Sequence, residues 1–263
     1  MTPRKIVSHT LQISNPKISL DFYQNKLGMH LISEQSQSKD GNLEHHYYLS
    51  FRPRTSVSAT RLEHPNTLLK LIYQDDVLGK VPNQNQFQKD GYWKIGITLE
   101  DVDLARESLL QTGVEVSEPR QFRDIGYLCH LADPDGHSIE LLQHTFNKNE
   151  PPSMLNSAYV LNTRPTFGQI TLRVKDAKKS LRFYQQGLGM RLLSRQVVEP
   201  YNFTLYFLAY TNDKLPFVDI DHVGNREWLW QRPYTTLELQ HNWGTEEGDF
   251  AYRVGSETGF IGM

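Results

Sequence analysis

The sequence has one cysteine, Cys129, in 263 residues. That excludes an intrachain disulfide and any zinc site built from cysteines alone, and it suits a reducing cytoplasm. No stretch approaches the ~18 uninterrupted apolar residues of a membrane-spanning helix, and the opening MTPRKIVSHTLQIS has no apolar core, so neither a membrane span nor a signal peptide is expected. Positive charge is not in surplus: Lys+Arg 28 stand against Asp+Glu 30. A polybasic surface for nucleic acid or membrane is therefore not expected. A P-loop, a GxGxxG after a strand and a GxSxG elbow are all missing. Long helical periods are scarce too; Gly 17, Pro 13 and many short Val/Ile/Leu/Phe/Tyr runs argue against a helical bundle. The length suffices for two ordinary domains, each with its own core.

What the chain does have is a repeat. Residues 10–35, TLQISNPKISLDFYQNKLGMHLISEQ, align without a gap on 171–196, TLRVKDAKKSLRFYQQGLGMRLLSRQ, with 14 of 26 positions identical. Each copy reads strand, helix, turn, strand. Ile170, Leu172 and Val174 alternate with polar neighbours, the period of a half-buried strand. Asp176 sits where an N-cap belongs, Ala177, Leu181, Tyr184 and Leu188 follow at helical spacing, and Gly189 ends the run. In the first copy Asn15 with Pro16 starts the helix and Gly28 stops it. Apolar runs at His46–Phe51, Leu68–Tyr73, Phe203–Tyr210 and Thr235–His241 complete a β-α-β-β-β unit in each copy.

A looser copy lies between them. It comprises a strand at Trp93–Leu99, a helix at Asp101–Thr112, and strands at Tyr127–Leu131 and Ser138–Leu142 joined by the turn Asp133-Pro134-Asp135-Gly136. Units 1, 2 and 3 thus span about 5–75, 90–145 and 166–243. The expected layout is a two-unit N-terminal module over 1–145, a linker over 146–165, and a C-terminal unit with a short tail over 166–263. The tail's TGFIGM reads as the start of a fourth unit that is not completed.

The strings SLRFYQQGLGM, FTLYFLAY and TTLELQHNWGTE resemble glyoxalase I, and GYWKIGITLEDVDLA with DPDGHSIELLQ resembles the second half of a vicinal oxygen chelate module. The resemblance implies an α+β fold: curved mixed sheets of paired β-α-β-β-β units, helices outside, the site in the concave face. It also implies a divalent metal, commonly zinc or nickel, held by Gln, Glu, His and Glu. The substrate would be the hemithioacetal of methylglyoxal and glutathione.

Carried over position by position, the metal ligands fall on Gln169, Glu238 and Glu140, and two glutathione contacts fall on Arg173 and Asn242. Strand parity agrees, since Gln169 and Arg173 share one face of their strand and Glu238 and Asn242 share one face of theirs. A solvated polar face would have the same parity. The family's His falls on Lys94, whose ammonium donates protons and does not coordinate a metal. Lys94 could instead pair with Glu140 and take the metal's place. In unit 1 the corresponding positions hold Ser8 and Lys70, so that unit is expected to be metal-free. His9 is one residue out of phase and is expected in the core; His137 and His144 are expected at the surface. The aromatic run Trp228–Tyr234 is expected to pack rather than stack on a ligand, and Cys129 to be unactivated.

With three units, unit 3 must pair either with unit 2 or with unit 3 of a second chain. The homodimer is preferred, because units 1 and 2 read as one complete module. The leading function is a metal-dependent glyoxalase I-like lyase, with Glu238 as first candidate for the proton shuttle and Glu140 as second. The alternative is a non-catalytic protein that sequesters a small metabolite or drug. A ring-cleaving dioxygenase fits less well, because phased histidines are missing.

Overall fold

The structure, a computed structural model, describes residues 4–39, 41–53, 66–74, 89–147, 155–255 and 259–263. The strands are β1 (Ser8–Gln12), β2 (His30–Lys39), β3 (Asn42–Ser50), β4 (Leu68–Gln74), β5 (Tyr92–Leu99), β6 (Arg120–Phe122), β7 (Gly126–Ala132), β8 (Ser138–Gln143), β9 (Thr166–Arg173), β10 (Arg191–Val198), β11 (Phe203–Ala209), β12 (Thr236–Asn242) and β13 (Phe260–Gly262). The helices are α1 (Pro16–Asp21), α2 (Val102–Gln111), α3 (Ala177–Arg182) and α4 (Gly224–Trp230).

The expected caps are in place. Asn15, Asp101 and Asp176 each accept a hydrogen bond from the backbone N–H three residues on, at 3.2, 3.0 and 3.0 Å. Both repeat helices end in a wide π turn, Phe22–Lys26 and Phe183–Gly187, which the helical spacing did not distinguish from ordinary helix. Gly28 and Gly189 then take φ of 79° and 78°, a left-handed stop that a side chain would strain. Helix α4 was not expected from the sequence; its Trp230 belongs to the core and donates from Nε1 to the Ile125 carbonyl at 2.9 Å.

The strands form two sheets, one of order β13-β1-β4-β3-β2 and one of order β10-β11-β12-β9-β5-β8-β7-β6. Within each unit the first strand runs parallel to the last, β9 with β12 and β5 with β8. Units 2 and 3 meet where β5 pairs antiparallel with β9, Gly96 opposite Gln169. The preferred pairing of unit 3 with a second chain is therefore corrected. The edge it needed is taken by β5 of the same chain, because ladder hydrogen bonds along two matched first strands are available without a partner. The matching edge in unit 1 is taken by β13, which pairs antiparallel with β1.

The region read as a linker is tied down where it is described, its 148–154 portion lying outside the described residues. Leu161 is fully buried in the main core, and Asn162 donates to Ser108 Oγ at 2.9 Å. Among the described residues no helix is long and apolar enough to cross a membrane.

His9 is buried among the rings of Tyr92, Phe167 and Phe260. Its Nε2 lies 3.3 Å from the Tyr92 hydroxyl, and its Nδ1 has no partner among the described residues. Burial, and then His137, push the imidazole down to about 3. The unfolded chain therefore binds a proton at this side chain across the range between about 6.5 and about 3, and the folded chain does not. The resulting stability is complete above the unfolded pKa and is lost as pH falls toward the folded one. Relative to His9→Phe, the native chain should lose roughly 2–3 kcal/mol between about pH 6.5 and pH 4.5. Urea unfolding of both proteins at stepped pH checks this; parallel curves would remove His9 as the cause. His137, expected at the surface, is fully buried: its backbone N–H donates to Asp133 Oδ1 at 2.8 Å and its Nε2 lies 2.9 Å from the Gln12 carbonyl.

Candidate active site

The β5–β9 junction brings the first and last strands of units 2 and 3 side by side, so one face collects Lys94, Glu140, Gln169 and Glu238. Their relative exposures are only 4, 4, 2 and 2%, so these charges and amide are withdrawn from water and need partners. They find them in one another. Lys94 Nζ forms an ion pair with Glu140 Oε2. Gln169 Nε2 donates to Glu140 Oε1 at 2.8 Å and to Glu238 Oε2 at 2.9 Å. Thr171 donates its hydroxyl to the same Glu238 oxygen at 2.8 Å. Gln169 Oε1 is buried without a hydrogen-bond partner.

The two carboxylates differ in protonation. Burial would raise Glu140, but the Lys94 ammonium, and after it His130, outweigh burial and hold it down at about 2. Burial, reinforced by the Glu140 charge, pushes Glu238 up to about 7 against the opposing pull of Lys94. One acid is thus a fixed anion and the other is poised near neutral pH.

His130 was missed by the sequence reading. Its Nε2 lies 3.1 Å from Glu140 Oε2. The signal was available: the tight turn at Asp133–Gly136 folds β7 back on β8, and the resulting register sets His130 opposite Glu140. Cys129, next to it in sequence, points to the core, and burial pushes its thiol up to about 12, which leaves it unactivated as expected.

Above the charged floor is a cavity of about 240 Å³. Its walls include Leu128, Leu142, Leu205, Phe207 and Trp230, with Tyr201 and Arg120 also lining it. Helix α4 fixes this wall across the two units, because Arg226 pairs with Asp124 at 2.6 Å and Glu227 accepts from the Phe146 N–H at 2.6 Å. Trp93, which also lines the cavity, has the Lys94 ammonium 4.3 Å from its ring centroid and the Arg173 guanidinium at 4.6 Å. Arg173 and Asn242 do not reach the floor. Arg173 Nη1 donates to the Asp90 carbonyl at 3.2 Å, and Asn242 Nδ2 to the Tyr252 hydroxyl at 2.8 Å.

Gly96 makes the convergence possible. A Cβ there would stand 2.1 Å from Gln169 Cγ, inside any tolerable contact. Gly96→Ala should displace the Gln169 amide from both carboxylates and cost about 1–3 kcal/mol through overpacking. Thermal unfolding of the variant, with a crystal structure to locate Gln169, checks both effects; an unmoved amide would contradict the steric argument.

In unit 1 the register places Lys70 beside Thr10 as Glu238 lies beside Thr171. Lys70 lies 5.6 Å from the Tyr48 ring centroid. Among the described residues this face has no counterpart of the four-residue floor.

Comparison with known proteins agrees with this architecture. The chain belongs to the Glyoxalase/Bleomycin resistance protein/Dioxygenase superfamily, whose family model matches residues 5–141 and 166–229. Its kinship inside the superfamily runs to glyoxalase I. It is 30% identical to Glyoxalase I of Saccharomyces cerevisiae over 97% of this chain and 74% of that protein. It is 29% identical to Lactoylglutathione lyase of Schizosaccharomyces pombe over 92% of this chain and 73% of that one. The Pseudomonas aeruginosa Lactoylglutathione lyase matches a shorter part, 39% identical over 43% of this chain and 62% of the relative. In three dimensions the crystal structure of glyoxalase I from Zea mays superposes with a TM-score of 0.62 at 22% identity, covering 91% of this chain and 68% of that one, which shows a shared fold. The chain is glyoxalase I-like.

Glyoxalase I is a metal-dependent family, but the donor set here does not fit a divalent ion as it stands. The ammonium of Lys94 sits where a cation would face Glu140, and Gln169 turns its N–H rather than its oxygen toward both carboxylates. Among the described residues no three His, Cys, Asp or Glu side chains gather as a metal-binding group. The expected zinc or nickel on Gln169, Glu238 and Glu140 meets three side chains that do converge, but they converge around an internal cation.

Proposed function

We propose that the cleft between units 2 and 3 carries glyoxalase I-like chemistry, isomerising the hemithioacetal of methylglyoxal and glutathione to S-lactoylglutathione by proton transfer on the chain's own side chains. The observation that carries this reading is Glu238: a carboxyl raised to about 7 on the floor of an apolar cavity, within reach of a buried ammonium. The reaction needs no co-reactant. One hydrogen moves from C1 to C2 and one from the C1 oxygen to the C2 oxygen.

Glu238 takes the C1 proton, and the electron pair becomes the C1–C2 double bond of an enediolate. Lys94 has N–H donors beyond the one on Glu140, and these face the developing oxyanion. Glu140, held ionised, keeps Lys94 in place. Glu238 then returns its proton at C2, while the Lys94 ammonium gives a proton to the C2 oxygen and takes one back from the C1 hydroxyl, which becomes the thioester carbonyl. Arg173, packed on Trp93 at the side of the cleft, offers a cation to a glutathione carboxylate, and Asn242 is the second candidate glutathione contact. The test is the ultraviolet appearance of the thioester from methylglyoxal and glutathione after exhaustive treatment of the protein with chelator. Turnover is expected to survive; absence of turnover in the folded protein sinks the reading.

A second reading has its own support in the cavity walls. Leu128, Leu142, Leu205, Phe207 and Trp230 form an apolar chamber above a floor whose charges are paired internally, which suits sequestration of an apolar metabolite or drug. Quenching of Trp93 and Trp230 fluorescence by such a ligand, without turnover, distinguishes it.

A further inference from the structure

We infer that Lys94 is a built-in counter-cation: its ammonium excludes divalent metal from the unit 2–unit 3 centre, and its removal would expose a latent metal site formed by Glu140, Glu238, Gln169 and His130. The inference does not rest on the lyase reading, because it concerns occupancy of the centre and not turnover.

Four observations support it. The donors come from four strands, β7, β8, β9 and β12, so backbone ladders rather than flexible loops set their separation. They line one cavity and are linked in a chain: Gln169 Nε2 lies 2.8 and 2.9 Å from oxygens of the two carboxylates, and His130 Nε2 lies 3.1 Å from Glu140 Oε2. Among the described residues, the ammonium of Lys94 is paired directly with Glu140, and the His130 ring stands against the same oxygen. Finally, Gln169 Oε1 is buried and unpartnered, an amide acceptor that rotation about one side-chain torsion would bring to face the floor.

In the native chain the ammonium neutralises Glu140, so a divalent ion would have to displace a buried like charge. Without it, two buried acids face each other with an imidazole and an amide oxygen at hand. Carboxylate, imidazole and amide donors suit a borderline cation such as zinc or nickel.

The experiment measures metal per chain by mass spectrometry after dialysis against zinc or nickel and removal of loosely held ions. The native protein should retain no stoichiometric metal, and Lys94→Ala and Lys94→Gln should each retain about one equivalent. Zinc should raise the thermal midpoint of both variants and leave the native protein unmoved. Adding Glu238→Gln to Lys94→Ala should abolish retention. A native protein holding one equivalent that is lost in Glu238→Gln would overturn the inference, as would folded Lys94→Ala and Lys94→Gln proteins holding none. Should both variants be unfolded, refolding with zinc decides: recovery supports the latent site, and failure to recover overturns it.

Discussion

Glu238→Gln should lower turnover of the methylglyoxal–glutathione adduct by at least ~100-fold, the ordinary contribution of a positioned acid–base group. The substitution keeps the size and the hydrogen bond from Thr171 but removes the proton acceptor. Because burial pushes Glu238 up to about 7, the native rate should rise as pH is raised through that value and then level off. Below it the carboxyl already holds the proton it must accept. A pH–rate profile of the native chain beside Glu238→Gln checks both points. A variant with native turnover, or a native profile flat from about pH 5 to 9, would assign the proton transfer elsewhere. Glu140→Gln tests the second candidate; Glu140, held at about 2, is expected to matter for placing Lys94 rather than for carrying the proton.

The second large effect is on stability. Lys94→Met should cost about 3–5 kcal/mol, because Glu140 is left as a buried carboxylate without its ammonium. Lys94→Met combined with Glu140→Leu should recover most of that loss, since replacing both members of a buried pair by apolar side chains of similar size is commonly neutral or better. With chelator present throughout, this cycle reports the ion pair and not metal uptake. Urea unfolding of the two single variants and the double variant at neutral pH gives the coupling. Additive losses would mean that the pair is not the organising interaction of the floor.

These effects depend on features that were legible in the sequence to different degrees. The repeat, its caps and its strand parity were readable because they are local. Asp176 meets a backbone N–H three residues away, and Gln169 and Glu238 fall on one face of their strands through the period of two. Lys94 stood out as a departure from the expected ligand set, and its pairing with Glu140 was one of the two roles the residue type allowed.

Other features required the pairing of strands, which the residue types alone do not fix. His130 belongs to the floor only because a turn returns β7 along β8 in one register. The fit between Gly96 and Gln169 exists only across the β5–β9 ladder. His137 carries no sign in its neighbours that it will be buried under β1.

The sequence by itself determined the β-α-β-β-β units and the residue types on each strand face, because these follow from periodicity and capping over a few residues; the family was legible through the resemblance of strings such as TTLELQHNWGTE. Only the tertiary structure decided that unit 3 closes on unit 2, and that two acids, an amide and an ammonium share one buried space. Strand pairing between units depends on long-range edge hydrogen bonds and core packing, and protonation depends on burial and neighbours distant in the chain.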